Sequence, residues 1–438
     1  MIELTEKDRL EEQEDYNALN EKQKQFFDMA MSGKNMFITG PAGTGKTFLV
    51  NRIIKAFERR GKTSIVCATT GVAARSIGGF TLHHQFHLSV TDGTATKDND
   101  WLKDADSLII DEASMMDYLI FNTIGNEIKE FNPNCQIILI GDFFQLPPVV
   151  TDETVKIADH RGYSDQIDRS QYHCFHSHIW RDFNFQTCIL TQAMRQDDQA
   201  FSTALFNLSR NTLTNNDLAY LSQSQKNAPM KGAIILACTN KVVNAINSQE
   251  LDKIDSPEKI YKALYWGEYD KEIPKVLKLK IGARVMLTIN NPTDGYCNGD
   301  MGNITEMNIT GVRVKLDSGE TVDVPQYDFK TQIFEDGETS TIGGIKQLPL
   351  KLAWAITVHK SQGQTFDKVN FLYDKGFFDG ANENRTLLYV GLSRARKIEN
   401  LYLRIKGNLP RFNNEAIVDF YNGKYKTYTS RFDNMIGF

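Results

Sequence analysis

Eight consecutive residues, Gly40-Pro41-Ala42-Gly43-Thr44-Gly45-Lys46-Thr47, carry the spacing G-x-x-x-x-G-K-T. Glycines at such positions let backbone N–H groups turn into the loop toward phosphate oxygens, and a helix that follows adds partial positive charge at its N-terminus. Lys46 would then reach the β- and γ-phosphates of ATP, and Thr47 would ligate Mg2+. Further on, Ser107-Leu108-Ile109-Ile110-Asp111-Glu112 ends an apolar run in two carboxylates. Asp111 suits the magnesium shell. Glu112 suits orienting or deprotonating the attacking water, because hydrolysis of a phosphoanhydride needs a positioned nucleophile more than covalent help. Gly141-Asp142-Phe143-Phe144-Gln145-Leu146-Pro147-Pro148 follows the next apolar run, so Gln145 could reach the γ-phosphate from the same sheet edge.

These side chains need strands that end side by side. Residues 35–39 read as a short buried strand, followed by the glycine-rich turn and an apolar-periodic helix over 47–60 that stops at Gly61. Similar apolar runs at 64–68, 107–110, 136–140 and 233–237 predict parallel strands covered by helices on both faces, an α/β fold. From 281 to 324 the texture changes to short alternating runs at 283–287, 303–307, 312–316 and 321–324. The turns Asn298-Gly299 and Asp317-Ser318-Gly319 punctuate them, which predicts a small β-barrel insert. The polar run 91–100 reads as a loop or hairpin tip.

Length and charge bound the reading. At 438 residues the chain needs two or more cores. A net charge of -5 does not advertise a nucleic-acid binder, so any basic track must be local. No run approaches the roughly 18 apolar residues of a membrane span, and residues 3–15 are charged where a secretory signal would be apolar, so an intracellular protein with no membrane partner is expected. Six Cys without a C-x-x-C pair point to reduced thiols. The cluster His173-Cys174-Phe175-His176-Ser177-His178 is spaced too tightly to hold a structural zinc without a distant fourth ligand.

The ordered series ITGPAGTGKT, ATTGVAA, LIIDEAS, GDFFQLPP, LTQAMRQ, AWAITVHKSQGQTFD and YVGLSRAR resembles superfamily-one helicases of the 5′-to-3′ branch, especially the petite-integration-frequency (PIF) helicases and their RecD and Dda relatives. The resemblance runs from about residue 19 to 403. It implies two RecA-like parallel-sheet phosphate-loop domains. The first would span 19–190 with a small wedge insert at about 80–104, after an extension over 1–18; the second would span 191–281 and 351–438, around a Src-homology-like barrel over 282–350. In place of the glycine-rich lead-in usual for PIF helicases stands Phe131-Asn132-Pro133-Asn134-Cys135, which leaves a phage-type or RecD-like relative open.

The resemblance also assigns roles. Gln23 matches the glutamine that reads adenine, although three residues after Asn20 it could equally complete a capping box. Gly363 falls among the ATP-binding positions. Arg195 and Arg394 match the arginines directed at the γ-phosphate, where a guanidinium stabilises transition-state charge. Thr69, Thr70 and Gly71 match a motif that contacts the DNA backbone, or form an ordinary strand-to-helix turn. Thr81 and His83 match another strand-contact element, with Phe86 a candidate separating pin unless it is core. Thr357, His359, Lys360 and Ser361 are further strand-contact candidates, while Trp354, Ile356 and Val358 belong in a core. The implied activity is ATP-dependent 5′-to-3′ translocation on single-stranded DNA with unwinding of forked duplexes, by a functional monomer that could work beside replication or repair proteins. Two rivals stand beside this reading: an ATP-gated clamp that keeps the same ATP site but does not translocate, and a small-molecule kinase with a phosphate loop, a different class that would need an acceptor pocket and has no use for a second α/β lobe. The aromatic, basic tail over 421–438 either packs on its own domain or touches DNA.

Overall fold

The computed structural model describes residues 5–88, 93, 95, 99–150, 152–160, 172–192, 199–269, 273–291, 293–335, 338–373, 383–405, 415–424 and 427. Contacts divide the chain into two units: residues 1–228, 375–401 and 405–438 form the first, and residues 229–374 with 402–404 the second. Residues 191–228 and 375–401, which the sequence reading puts in its second lobe, thus group with the first unit.

The first unit is built on six parallel strands, β1 (Met36–Thr39), β2 (Ser64–Ala68), β3 (Phe80–Thr81), β4 (Ser107–Asp111), β5 (Gln136–Gly141) and β6 (Gln186–Ile189), in the order β3-β2-β4-β5-β1-β6. Every residue of β1, β4 and β5 is buried, as strands covered on both faces must be, which is why they read as unbroken apolar runs. Thr39 pairs with Gly141 and Ala68 with Asp111, so the loops that follow these strands leave from one sheet edge. The helix after β1 spans Lys46–Arg59 and turns Leu49, Val50, Ile53, Ala56 and Phe57 inward at helical spacing. It ends where Gly61 takes φ +67°, a left-handed stop that costs glycine no Cβ clash.

The helix Glu6–Asn17 buries no residue, so nothing in its apolar pattern announces it. A Thr5/Asp8 capping box starts it. Ion pairs fasten it to the helix Lys46–Arg59 and its end, Arg59 to Asp15 at 2.9 Å and Arg60 to Glu12 at 2.6 Å. Phe86 is fully buried and meets Trp101 edge-on at 5.1 Å; it is core, and not a pin, because an aromatic enclosed there has no face left for a base pair. His173 stacks on Phe175 within an aromatic cluster that includes Phe37, Phe143, Trp180 and Phe420. Burial pushes its pKa down to about 3 and keeps the ring neutral.

The second unit contains β7 (Ile234–Ala237), β8 (Lys259–Lys262), β9 (Leu264–Gly267), β10 (Val276–Leu279), β11 (Arg284–Leu287), β12 (Met301–Met307), β13 (Gly311–Leu316), β14 (Thr321–Pro325), β15 (Tyr327–Glu335), β16 (Glu338–Gln347), β17 (Leu350–Leu352), β18 (Ala355–Thr357) and β19 (Val369–Leu372), and β20 (Leu401–Arg404) completes its sheet. Parallel pairing of β18 and β19 with β7 gives a four-stranded sheet, β18-β7-β19-β20. The alternating runs form an antiparallel sheet, β14-β13-β12-β11-β17, whose inward residues Val312, Val314, Leu316, Val322 and Val324 share one core. Among the described residues no pairing closes this linear order into the expected barrel. β15, β16 and β9 make a separate three-stranded antiparallel sheet.

Candidate nucleotide site and nucleic-acid groove

The phosphate-loop sequence leaves the end of β1 in a conformation that only glycine adopts without strain. Gly43 and Gly45 have φ of +84° and +80°. A Cβ on Gly40 would stand 2.3 Å from the Leu190 carbonyl oxygen, so side-chain size is excluded there by close approach. Thr44 donates its hydroxyl to the Pro41 carbonyl at 2.8 Å, and Lys46 Nζ lies over the loop, donating to the Gly40 and Pro41 carbonyls at 2.6 and 3.2 Å. Thr47 is exposed in the first helical turn. Gln23 is fully buried and combines two roles: its side chain closes a capping box with Asn20, and its Nε2 reaches the Gly45 carbonyl at 3.4 Å.

At the end of β4, Asp111 accepts the Glu112 N–H at 2.8 Å. Burial and the charge of Glu112 push the Asp111 carboxyl far above the ordinary carboxylate range, against the pull of Lys46. A buried carboxylate so poorly compensated, beside a second one, is a donor set that fits a divalent cation. Glu112 itself has φ +55°, an uncommon left-handed setting for a non-glycine residue. Thr69, leaving β2 next door, donates its hydroxyl to the Glu112 carbonyl at 2.9 Å and its N–H to the Asp111 carbonyl at 3.3 Å.

At the end of β5, Asp142 gathers three donors. Phe144 N–H lies at 3.1 Å, Gln145 Nε2 at 3.5 Å and the Tyr389 hydroxyl at 2.7 Å. The Ala42 N–H also faces the Tyr389 phenol and favours its charged form, so one side chain stands between the phosphate loop and the Gln145 loop. Gln145 Oε1 is buried and has no partner among the described residues, as expected of a group awaiting a ligand or water. Arg394, on the turn after the helix Glu383–Leu392, is 4% exposed and held by the Val390 carbonyl and Ser393 hydroxyl at 2.9 and 2.8 Å. Burial lowers its pKa, and Glu112, Tyr389 and Asp142 act in the opposite direction. The first unit therefore brings Gln23, the loop 40–47, Thr69, Asp111, Glu112, Gln145 and Arg394 together. Arg195 lies outside the described residues.

Thr70 and Thr81 cap the short helices Gly71–Ser76 and Leu82–Gln85 through their hydroxyls, the turn role anticipated for Thr70. Gly71 is the first residue of the former helix, and His83, in the latter, is half-buried and shifted by burial toward its neutral form. In the second unit a groove of about 430 Å3 is lined by Asn240, Asn244, Pro274, Lys351, Thr357 and Lys360. Thr357 Oγ1 accepts the Lys360 N–H at 3.4 Å, and His359 and Lys360 are exposed. Ser361 is fully buried and donates to the Val358 carbonyl, while Gly363 takes φ +74° in the following turn. Sequence reasoning did not single out Tyr389, Asn240, Asn244 or Lys351, because their neighbours are remote in the chain and no local spacing marks them.

A parallel sheet carrying a phosphate loop, an adjacent strand-end carboxylate pair and a buried arginine on one edge defines a phosphate-loop nucleoside-triphosphatase. The model of the PIF1-like helicase family matches residues 18–207, that of the UvrD-like helicase C-terminal domain residues 352–402, and that of the Pif1 2B domain residues 272–307. The ATP-dependent DNA helicase Pif1 of Campylobacter jejuni is 31% identical over 403 residues, covering 82% of this chain and 86% of that protein. Bacteroides Pif1 bound to single-stranded DNA superposes with a TM-score of 0.77 at 29% identity, over 92% of this chain and 96% of that one. A Pif1 structure describing unwinding at forked duplex DNA gives 0.76 at 28% identity, over 94% and 99%. The chain belongs to the PIF1-like helicase family.

Proposed function

We propose that this ATP-dependent DNA helicase moves 5′ to 3′ along single-stranded DNA and opens forked duplexes as it goes. The observation that carries the reading is the convergence of Lys46, Asp111, Glu112, Gln145 and Arg394 on one sheet edge, with Thr69 bonded directly to the carboxylate turn. The polarity follows from the branch that the motif series resembles.

In the hydrolytic step the loop N–H groups and Lys46 hold the phosphates. Glu112 aligns water against the γ-phosphorus and takes up its proton as the bond to the ADP oxygen breaks. Arg394 and Lys46 face the charge that spreads over the transferring group. Thr47 and Asp111 would hold Mg2+, which when bound neutralises phosphate charge and orients the terminal phosphate. Gln145 registers the γ-phosphate by donating from its amide nitrogen to a phosphate oxygen, while Oε1, which otherwise has no partner among the described residues, accepts from the attacking water. The Thr69 contact gives hydrolysis a route to the DNA, since a shift of the Glu112 backbone must move the turn 69–71 that faces the strand backbone. Backbone grip of this kind gives little sequence preference and strong salt dependence.

Steady-state ATPase with and without single-stranded DNA, for wild type and Lys46→Ala, tests the motor, together with unwinding of forks bearing a 5′ or a 3′ tail. DNA-stimulated hydrolysis that Lys46→Ala abolishes, with unwinding from the 5′ tail alone, is the expected result. Hydrolysis indifferent to DNA would overturn it in favour of a kinase, and stimulation without unwinding would leave a clamp.

A further inference from the structure

In the sheet β15-β16-β9, register places Trp266, Gly344 and Lys330 in one cross-strand row and Leu264, Lys346 and Asp328 in the next row of the same face. Trp266 is 55% exposed and Leu264 70%, and Lys330, Lys346 and Asp328 are exposed beside them. Gly344 is the buried floor of the row: a Cβ there would meet the Phe329 carbonyl oxygen at 2.9 Å, Trp266 Nε1 at 3.5 Å and Asp328 Oδ1 at 3.6 Å, so the indole leans across the glycine. We infer that this face is a stacking platform for a single strand of nucleic acid, separate from the groove at Thr357 and Lys360, with a base on Trp266 and phosphates on Lys330 and Lys346.

Three observations favour that occupant. The cores of protein interfaces are depleted in lysine, whereas single-strand platforms interleave aromatic rings with cations. The stretch 259–284, which supplies Trp266, holds seven Lys or Arg against three Asp or Glu in a chain of net charge -5, so the ring is set in a locally basic run of sequence. The strand that carries the platform also borders the groove: Gln347, the last residue of β16, turns to the face opposite Gly344 and Lys346 and donates to the carbonyl of Pro274, a groove-lining residue. Gly344 is three residues up the same strand, on the order of 10 Å away, within reach of a strand that leaves the groove. Asp328 faces Lys346 across the sheet and offsets only part of the charge.

The inference rests on the helicase reading, and the test separates their failures. Binding of oligothymidylates of about 8 and about 25 nucleotides is measured by fluorescence anisotropy for wild type, Trp266→Ala, Trp266→Tyr and the double variant Lys330→Gln/Lys346→Gln. Trp266→Ala should weaken the long oligonucleotide about tenfold and leave the short one unchanged, with Trp266→Tyr restoring most of the loss. The double variant should lower the slope of log affinity against log salt by about 1.4 for the long oligonucleotide alone. Unchanged affinity for the long oligonucleotide, or an equal loss at both lengths, would overturn the platform; retained DNA affinity with loss of binding to another protein would assign the face to that partner instead. Failure of the wild type to bind either oligonucleotide would instead remove the helicase reading itself.

Discussion

Replacing Tyr389 by Phe removes one oxygen atom and leaves the ring, so it isolates the bridge between the phosphate loop and the Gln145 loop. The lost hydroxyl donates to Asp142 at 2.7 Å and faces the Ala42 N–H in a fully enclosed setting. A hydrogen bond to a charged group contributes about 1.5–3 kcal/mol, and Asp142 retains only the Phe144 N–H and the long contact from Gln145. If that energy positions the two loops for the transition state, kcat falls by about 10- to 100-fold with ATP KM within about threefold, since the loss is felt only when Gln145 and the loop act together. Steady-state ATPase at saturating single-stranded DNA reads kcat and KM, and thermal unfolding of the same samples reads stability. A drop of a few degrees in Tm with kcat unchanged would refute the reasoning, because the bridge would then support the fold and not the reaction.

Three further outcomes are expected. Arg394→Lys keeps a charge but loses the planar fork that binds the Val390 carbonyl and Ser393 hydroxyl, so kcat should drop by about 10³ with nucleotide affinity little changed; mant-ADP titration beside ATPase assays checks both. Asp111→Asn removes a buried charge that Glu112 repels, so without Mg2+ and nucleotide it should raise Tm while hydrolysis disappears; a lower Tm would mean that Lys46 already compensates the carboxylate. Arg59→Met cuts the ion pairs to Asp15 and Glu11, side chains that are partly shielded, and should cost about 1 kcal/mol at low salt. Differential scanning calorimetry should find that difference shrinking at about 1 M salt; a salt-independent loss would point to packing of the arginine stem instead.

The elements legible in the sequence are those whose reasons are local. Strands β1, β4 and β5 read as apolar runs because both faces are covered, and the phosphate loop was readable because a glycine conformation, a lysine and a helix start fall within eight residues. Strands β8, β9, β15 and β16 escaped: in β9 all four residues are exposed, so no alternation marks it. The helix Glu6–Asn17 escaped for the related reason that ion pairs hold it, and charge spacing does not distinguish such a helix from a solvated tail. Tyr389 was unreadable on other grounds, since its partner Asp142 is 247 positions away and pairwise chemistry at that separation leaves no pattern.

Thr69 shows why the two kinds of reading belong together. By motif it is a DNA-contact residue, and by geometry its hydroxyl and N–H are both committed to the backbone of the carboxylate turn. A threonine that only gripped phosphates would have its hydroxyl toward the strand; one that only closed a turn would not need to sit beside a left-handed Glu112. The arrangement joins them: Glu112 holds an uncommon left-handed backbone at the end of β4, and Thr69 is bonded to its carbonyl. Thr69→Val should therefore uncouple the functions, keeping basal ATPase within about threefold while lowering its stimulation by single-stranded DNA about tenfold, a hydrogen bond's worth of coupling. Loss of DNA affinity with stimulation intact at saturation would place Thr69 on the strand alone and break this link.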